Sequence, residues 1–252
     1  MARAKGHTAV MADKASAAAI EAEADPLRRL HLTLNYFPTP PWATRALLEH
    51  VIPDAGGSVW EPAAGQGHMA RVLAERFDTV FASDVHDYGS LDAVGSFVGA
   101  GGDVVAQPRL RWDWVITNPP FSEALGFAGR ALNEARNGVA MLLRTPWLEG
   151  VERYESLFRD WPPQIVAVFV ERVPMTLGRW DPEATTATSY AWFVWDDHNP
   201  RFGTELMWIP PGCRQRLTRP DDISRFAGAE PTGATLFDPR SAPASETNEV
   251  AA

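Results

Sequence analysis

A chain of 252 residues with 45% hydrophobic side chains can bury a substantial core, and no apolar run in it is long enough to span a membrane. Cys213 is the only cysteine, which excludes an intrachain disulfide; the six histidines show no metal-ligand spacing, and the Ala-rich, mixed-charge start carries no apolar signal core, so the expected setting is cytoplasmic and reducing. The net charge of −9 argues against a general polyanion binder, yet residues 104–180 hold nine Arg and no Lys against eight acids, and Arg is the cation suited to bidentate phosphate contacts.

Residues 1–30 lack a clear apolar stripe, and 216–252 are rich in Pro, Ala, Ser, Thr and acid, so both are expected to be flexible segments flanking a folded domain at 31–215. Within that domain "ATRALLEHVI" (43–52) has helical spacing, "SVWEPAAG" (58–65) is a short strand running into a glycine turn, and "HMARVLAERF" (68–77) is a helix with Met69, Val72, Leu73 and Phe77 on one face. "TVFASDV" (79–85) and "WDWVITN" (112–118) read as strands, "EALGFAGRALNEAR" (123–136) as a helix, and "NGVAMLLR" (137–144) as a further strand. Alternating strands and helices with continuous apolar strands predict an α/β fold with a mostly parallel, doubly wound sheet covered on both faces. "QIVAVFVERV" (164–173) and "SYAWFVWDD" (189–197) follow with no helix between them, which predicts an antiparallel final strand. The alternating aromatics of "YAWFVW" suit a half-buried strand whose side chains pack the core.

"VWEPAAGQGHMARVLAERF" places Gly65, Gly67 and Ala70 in a G-x-G-x-x-A pattern between a strand and a helix. Glycines there let a ligand approach the backbone, and the helix start supplies unpaired N–H groups. The next strand ends at Asp84, seventeen residues after Gly67, where an acid can accept hydrogen bonds from a ribose diol. The plainer reading is a tight turn with a solvent-exposed Asp. Glu61, just ahead of the glycines, suits a ligand bearing an ammonium group and would repel a pyrophosphate. His68, within the glycine turn, is placed to touch a ligand, but a surface residue of the first helical turn is the plainer reading.

In "DWVITNPPFSEAL" (113–125) Pro119 biases Asn118 toward an extended conformation at a strand end, where doubly wound sheets bind ligands. Neither Pro119 nor Pro120 can donate a hydrogen bond. The Asn118 side-chain oxygen and the Pro119 carbonyl would form an acceptor-only cradle for a planar NH₂ group, and Phe121 would offer a face for a ring.

On these residues the chain resembles the amino-methyltransferases. "EPAAGQG", "SDV" and "NPPF" look like their motifs I, II and IV, and "YFPTPPWATRALLEH" (36–50) is similar to the motif X segment of N6-adenine DNA methyltransferases; "AMLLRTPWLEGVERYESLF" and "SYAWFVWD" resemble phage and prophage members. The resemblance covers about residues 34–212 and implies a Rossmann-like class I methyltransferase using S-adenosyl-L-methionine. It also implies that Phe37, Thr39 and Pro40 line the methionine end of that cofactor and that Glu61, Ala63, Gly65 and Gly67 wrap it. Asp84 would hold the ribose, Val85 would flank the adenine and Asp103 would meet the adenine amine, although Asp103 reads equally well as a surface-turn acid. Asn118, Pro119, Pro120 and Phe121 would hold the target base, implying DNA as partner through a single-stranded or flipped adenine. NPPF alone is shared with RNA and protein-glutamine methyltransferases, so those acceptors stay open, as do a cofactor-binding partner protein without turnover and a nicotinamide oxidoreductase.

Only 131 residues follow Phe121, too few for the separate target-recognition domain that sequence-specific members carry. If "SYAWFVW" is the antiparallel member, the strand at 164–173 runs parallel to the others and opens the long polar loop "PMTLGRWDPEATTATS" (174–189) on the functional edge, so the loop is expected beside the target pocket, with Arg172 and Arg179 as phosphate ligands and Trp180 as a stacking surface; a disordered surface hairpin is the plainer reading.

Overall fold

The computed structural model describes residues 17–99, 103–105, 111–196 and 203–227. Eight strands form one sheet: β1 Ser58–Glu61, β2 Thr79–Asp84, β3 Ala93–Val94, β4 Trp112–Thr117, β5 Ala135–Arg144, β6 Ile165–Phe169, β7 Tyr190–Asp196 and β8 Glu205–Ile209. Their spatial order is β3-β2-β1-β4-β5-β7-β6-β8. Only β7 runs antiparallel, pairing with β5 on one side and β6 on the other, while β8 pairs parallel to β6. The fold is thus a Rossmann-like α/β sheet with the expected antiparallel strand, which lies inside the sheet because β8 extends the far edge.

Alternate residues of the central strands feed two cores. Ala140 and Leu142 of β5 and Trp192 and Val194 of β7 point to the face covered by α3 (Pro41–His50) and α4 (His68–Leu73). Val139, Met141 and Leu143 with Ala191, Phe193 and Trp195 point to the face covered by α5 (Ala124–Glu134). All of Tyr190–Trp195 are buried, so β7 is covered on both faces rather than half-buried, as its place between β5 and β6 requires. Gly138 marks the tightest crossing. A Cβ there would lie 2.6 Å from the Trp114 ring and from the Trp195 carbonyl, so only glycine lets β5 pass between them.

The folded part is wider than 31–215. At the front, α1 (Ala17–Glu21) precedes α2 (Pro26–Leu34), which starts on Asp25, whose carboxylate accepts the Leu27 N–H at 3.0 Å, and stops at Asn35 in the left-handed conformation. At the back, α7 (Cys213–Leu217) and α8 (Asp222–Phe226) pack under α3 and α4. Asp222 is fully buried and takes both terminal nitrogens of Arg45, at 2.7 and 2.8 Å, while Arg45 also binds Glu75. Residues 1–16 and 228–252 of the two expected flexible segments lie outside the described residues. The short α6 (Val151–Arg153) continues into a wider turn at Tyr154–Phe158. No helix among the described residues is long and apolar enough to cross a membrane.

Candidate functional site

The parallel strands β1, β2 and β4 end side by side at Glu61, Asp84 and Thr117, and the connections leaving them enclose a cleft. Its floor is Glu61, Ala63 and Ala64 after β1 and Asp84 and Val85 after β2. One wall is Asn118 and Pro120 after β4, and the cover is the segment Asn35–Thr39 between α2 and α3.

The turn after β1 needs its glycines. Gly65 and Gly67 have φ of 53° and 78°, and Gly65 lies under the Tyr36 ring so closely that a Cβ would come within 2.3 Å of Tyr36 Cε2. The Gly65 N–H donates to Asp84 Oδ2 at 2.8 Å and the His86 N–H to Oδ1 at 3.1 Å, which fixes the carboxylate at the cleft floor. Burial pushes the Asp84 carboxyl above the usual range, and these backbone N–H bonds oppose that rise.

Glu61 is 2% exposed and its Oε2 has no hydrogen-bond partner among the described residues. Burial raises its carboxyl well above the usual carboxylate range, with the Ala70 N–H opposing and the nearby Asp84 adding to the rise. A desolvated acid with an orphaned oxygen in a cleft suits a ligand that brings a cation and N–H donors; Asp84 beside it suits vicinal hydroxyls.

Asn118 is held by the cover. Its Nδ2 donates to the Phe37 carbonyl at 3.0 Å and to Thr39 Oγ1 at 3.1 Å, and lies 3.7 Å from Met175 Sδ. A carbonyl can only accept, so the amide nitrogen must face Phe37, and Oδ1 is left as an acceptor with no partner among the described residues. The Pro120 carbonyl is taken by the Glu123 N–H, which opens the turn into α5, whereas the Pro119 carbonyl carries no backbone bond among the described residues.

Phe37, Thr39, Glu61, Ala63, Asp84, Val85, Asn118 and Pro120 all line this cleft. Other expected positions do not. Pro40 is buried as the N-cap of α3, and Gly65 and Gly67 support the floor beneath Tyr36 and at the start of α4. Pro119 is buried, next to Asn118 in the chain. Phe121 lies outside the lining, 5.9 Å from the Phe37 ring and 6.4 Å from the Tyr190 ring, with the Arg144 guanidinium 4.0 Å over its face. Asp103 is exposed and not among the cleft-lining residues; its carbonyl accepts the N–H of Ser96, which with Phe97 lines the cleft there.

The loop after β6 does reach this edge. Gly178 N–H donates to the Tyr36 carbonyl at 2.9 Å, and Met175 touches Asn118. Arg172 and Arg179 are exposed, with Arg172 donating to Ser189 Oγ and Arg179 lying 3.4 Å from Asp181. Trp180, however, is 4% exposed and stands edge-on to Phe226 at 6.4 Å, so it packs the loop onto α8 and offers no free stacking face.

Sequence reasoning assigned no role to Tyr36, Arg144 or Met175, and preferred the surface reading of His68 over ligand contact. Tyr36 opens the motif X segment at 36–50, and its aromatic ring was its only signal. His68, expected at the surface, is 3% exposed and forms part of the cleft wall. Among the described residues no group of three or more His, Cys, Asp or Glu side chains is placed to hold a metal ion.

No family model and no curated protein matches the chain. Among solved structures, it is similar to a protein described as the modification subunit of a type I restriction enzyme from Vibrio vulnificus YJ016, at 13% identity and a TM-score of 0.48, over 81% of this chain and 58% of that one. A type I restriction-modification methyltransferase subunit from Streptococcus thermophilus matches at 10% identity and a TM-score of 0.46, over 68% of this chain and 48% of that one. A 16S rRNA methyltransferase from T. thermophilus, in complex with AdoMet and guanosine, matches at 17% identity and a TM-score of 0.37, over 69% and 44% of the two chains. The chain thus spans about half the length of these proteins.

Proposed function

We propose that this chain is an S-adenosylmethionine-dependent methyltransferase acting on the exocyclic amine of a nucleic-acid base, with adenine N6 in DNA as the acceptor. The orientation of Asn118 carries the reading: an amide whose two N–H groups are spent on Phe37 and Thr39 presents only an acceptor, at the end of β4 beside the cleft. The order of the motif X, I and IV segments supports DNA adenine over other acceptors.

The residues fit the cofactor. Asp84 would accept from the ribose hydroxyls, Val85 would flank the adenine, and the orphaned Glu61 Oε2 would meet the ammonium group, with Phe37 and Thr39 at the methionine end. When bound, S-adenosylmethionine supplies an electrophilic methyl group. Asn118 Oδ1 and the Pro119 carbonyl would each accept one N–H of the target amine, drawing its lone pair out of conjugation and holding it in line. No general base is required before transfer. Phe121, with Phe37 and Tyr190 beside it, would provide the aromatic surface for a flipped base once Arg144 leaves its face. Arg172 and Arg179, exposed on the loop at this edge, would meet phosphates.

The test is parallel methyl incorporation from labelled S-adenosylmethionine into DNA, RNA and protein. Label in DNA alone is expected; label in RNA or protein alone would move the acceptor, and cofactor binding without label anywhere would leave a binding protein.

A further inference from the structure

We propose that His68 is a second contact for the ammonium group of the bound amino-acid ligand, accepting a hydrogen bond at Nδ1, and that the Phe226 carbonyl of α8 holds the ring in the tautomer that makes this contact. The proposal rests on the cofactor reading above and adds to it a residue that none of the motifs marks.

The tautomer follows from the partner. His68 Nε2 lies 3.1 Å from the Phe226 carbonyl oxygen, which can only accept, so Nε2 carries the proton and donates it. Nδ1 then bears a lone pair, and it is buried with no partner among the described residues. Burial lowers the His68 pKa to about 4, so the ring is neutral under ordinary conditions and Nδ1 stays an acceptor. The second orphaned acceptor on this floor is Glu61 Oε2, and the Glu61 carboxyl takes the N–H of Ala70, two residues further along α4. Both acceptors therefore border the first turn of one helix. Two buried acceptors without donors are costly to leave unpaired. A carboxylate or phosphate brings further acceptors and a charge that would keep Glu61 protonated, whereas an ammonium brings three donors and a positive charge that favours ionised Glu61.

The ring is held by contacts outside the glycine turn. Its centroid is 5.8 Å from the Phe226 ring, the Arg225 carbonyl accepts from Arg71 at 2.9 Å, and α8 is anchored through Asp222 and Arg45. The segment that closes the fold thus sets the chemistry of one cleft atom.

The experiment uses the full chain and two ligands: S-adenosylmethionine, which carries the ammonium group, and methylthioadenosine, which does not. His68→Gln keeps a donor near Phe226 but removes the Nδ1 acceptor; His68→Asn keeps an acceptor near the Nδ1 position but loses the Phe226 bond. Calorimetry should show His68→Gln weakening S-adenosylmethionine about tenfold with methylthioadenosine unchanged, and His68→Asn within about threefold of wild type. In wild-type protein labelled with ¹⁵N-histidine, the His68 Nδ1 resonance should move on adding S-adenosylmethionine and stay in place on adding methylthioadenosine. An Nδ1 resonance that does not move, or equal weakening of both ligands by both variants, overturns the proposal and leaves the cofactor reading standing. If wild-type protein binds no S-adenosylmethionine, both fall together. The spectrum of the wild type decides the matter even where a variant does not fold.

Discussion

The Gly65 N–H and the Asp84 carboxylate, 2.8 Å apart, tie the glycine turn after β1 to the end of β2. One bond thereby aligns two parts of the cleft floor, and the carboxylate, held by the backbone N–H groups of Gly65, His86 and Val85, is fixed where it can accept from a ribose hydroxyl. Asp84→Ala is expected to weaken S-adenosylmethionine binding by about 1–3 kcal/mol, through lost charge-assisted bonds and a loosened turn. Calorimetry on a folded variant checks this; unchanged affinity would remove Asp84 from the cofactor site.

Glu61 sets a pH dependence. Burial first, and the Asp84 charge after it, raise its carboxyl, so in the free protein a proton stays on Glu61 to a higher pH than usual. A bound cation favours the ionised form and expels that proton. Affinity for S-adenosylmethionine should therefore rise with pH up to the raised value and level off above it. Glu61→Gln should flatten the profile, as read by calorimetry across pH in buffers of different ionisation enthalpy.

Asp222 sets a stability. Burial alone would raise its carboxyl, but the Arg45 guanidinium and the Arg219 N–H outweigh that and hold it below the usual range. Its contribution is present above the unfolded value of about 4 and is lost as pH falls through the lowered folded value. Asp222→Ala should cost about 3 kcal/mol by leaving buried Arg45 with Glu75 and the Leu217 carbonyl but without its buried carboxylate, and should loosen α8. Chemical denaturation at neutral pH and at pH ~3 tests both parts: the variant's deficit should shrink in acid.

The sheet was legible because β1, β2, β4, β5 and β7 are apolar runs bounded by glycines, prolines and polar turns, and the antiparallel member followed from the missing helix before "SYAWFVW". The glycine turn, Asp84 and Asn118 were legible for the same reason: their chemistry is local. What was not legible depends on distant partners. α8 has a single buried aromatic and is held by an ion pair reaching across 177 residues to Arg45. β8 is five residues with alternating exposure at an edge, too short for periodicity to mark. Trp180 looked available because it sits in a polar loop, and is spent on Phe226, which sequence alone places in a tail. His68 looked exposed because helix first turns usually are, and α8 buries it.

Arg172 and Arg179 are the exposed cations of the loop that reaches Asn118 through Met175. Replacing both with Ala should leave cofactor affinity unchanged, weaken DNA binding and lower the slope of log affinity against log salt by about 1.4 on a single strand. Trp180 is kept intact, since its loss would disturb α8. Fluorescence anisotropy with a labelled single strand at several salt concentrations reads this, and an unchanged slope would mean that phosphates are bound elsewhere.

The most direct measurement is nucleoside mass spectrometry on DNA incubated with S-adenosylmethionine and either the wild-type chain or Asn118→Ala, with cofactor affinity measured on both. Wild type should give N6-methyldeoxyadenosine, and Asn118→Ala should bind the cofactor nearly as well while losing most of the product, because Asn118 serves the acceptor amine. Wild-type protein that binds S-adenosylmethionine yet forms no N6-methyldeoxyadenosine, or an Asn118→Ala variant that forms as much as wild type, would contradict amine methylation at this site.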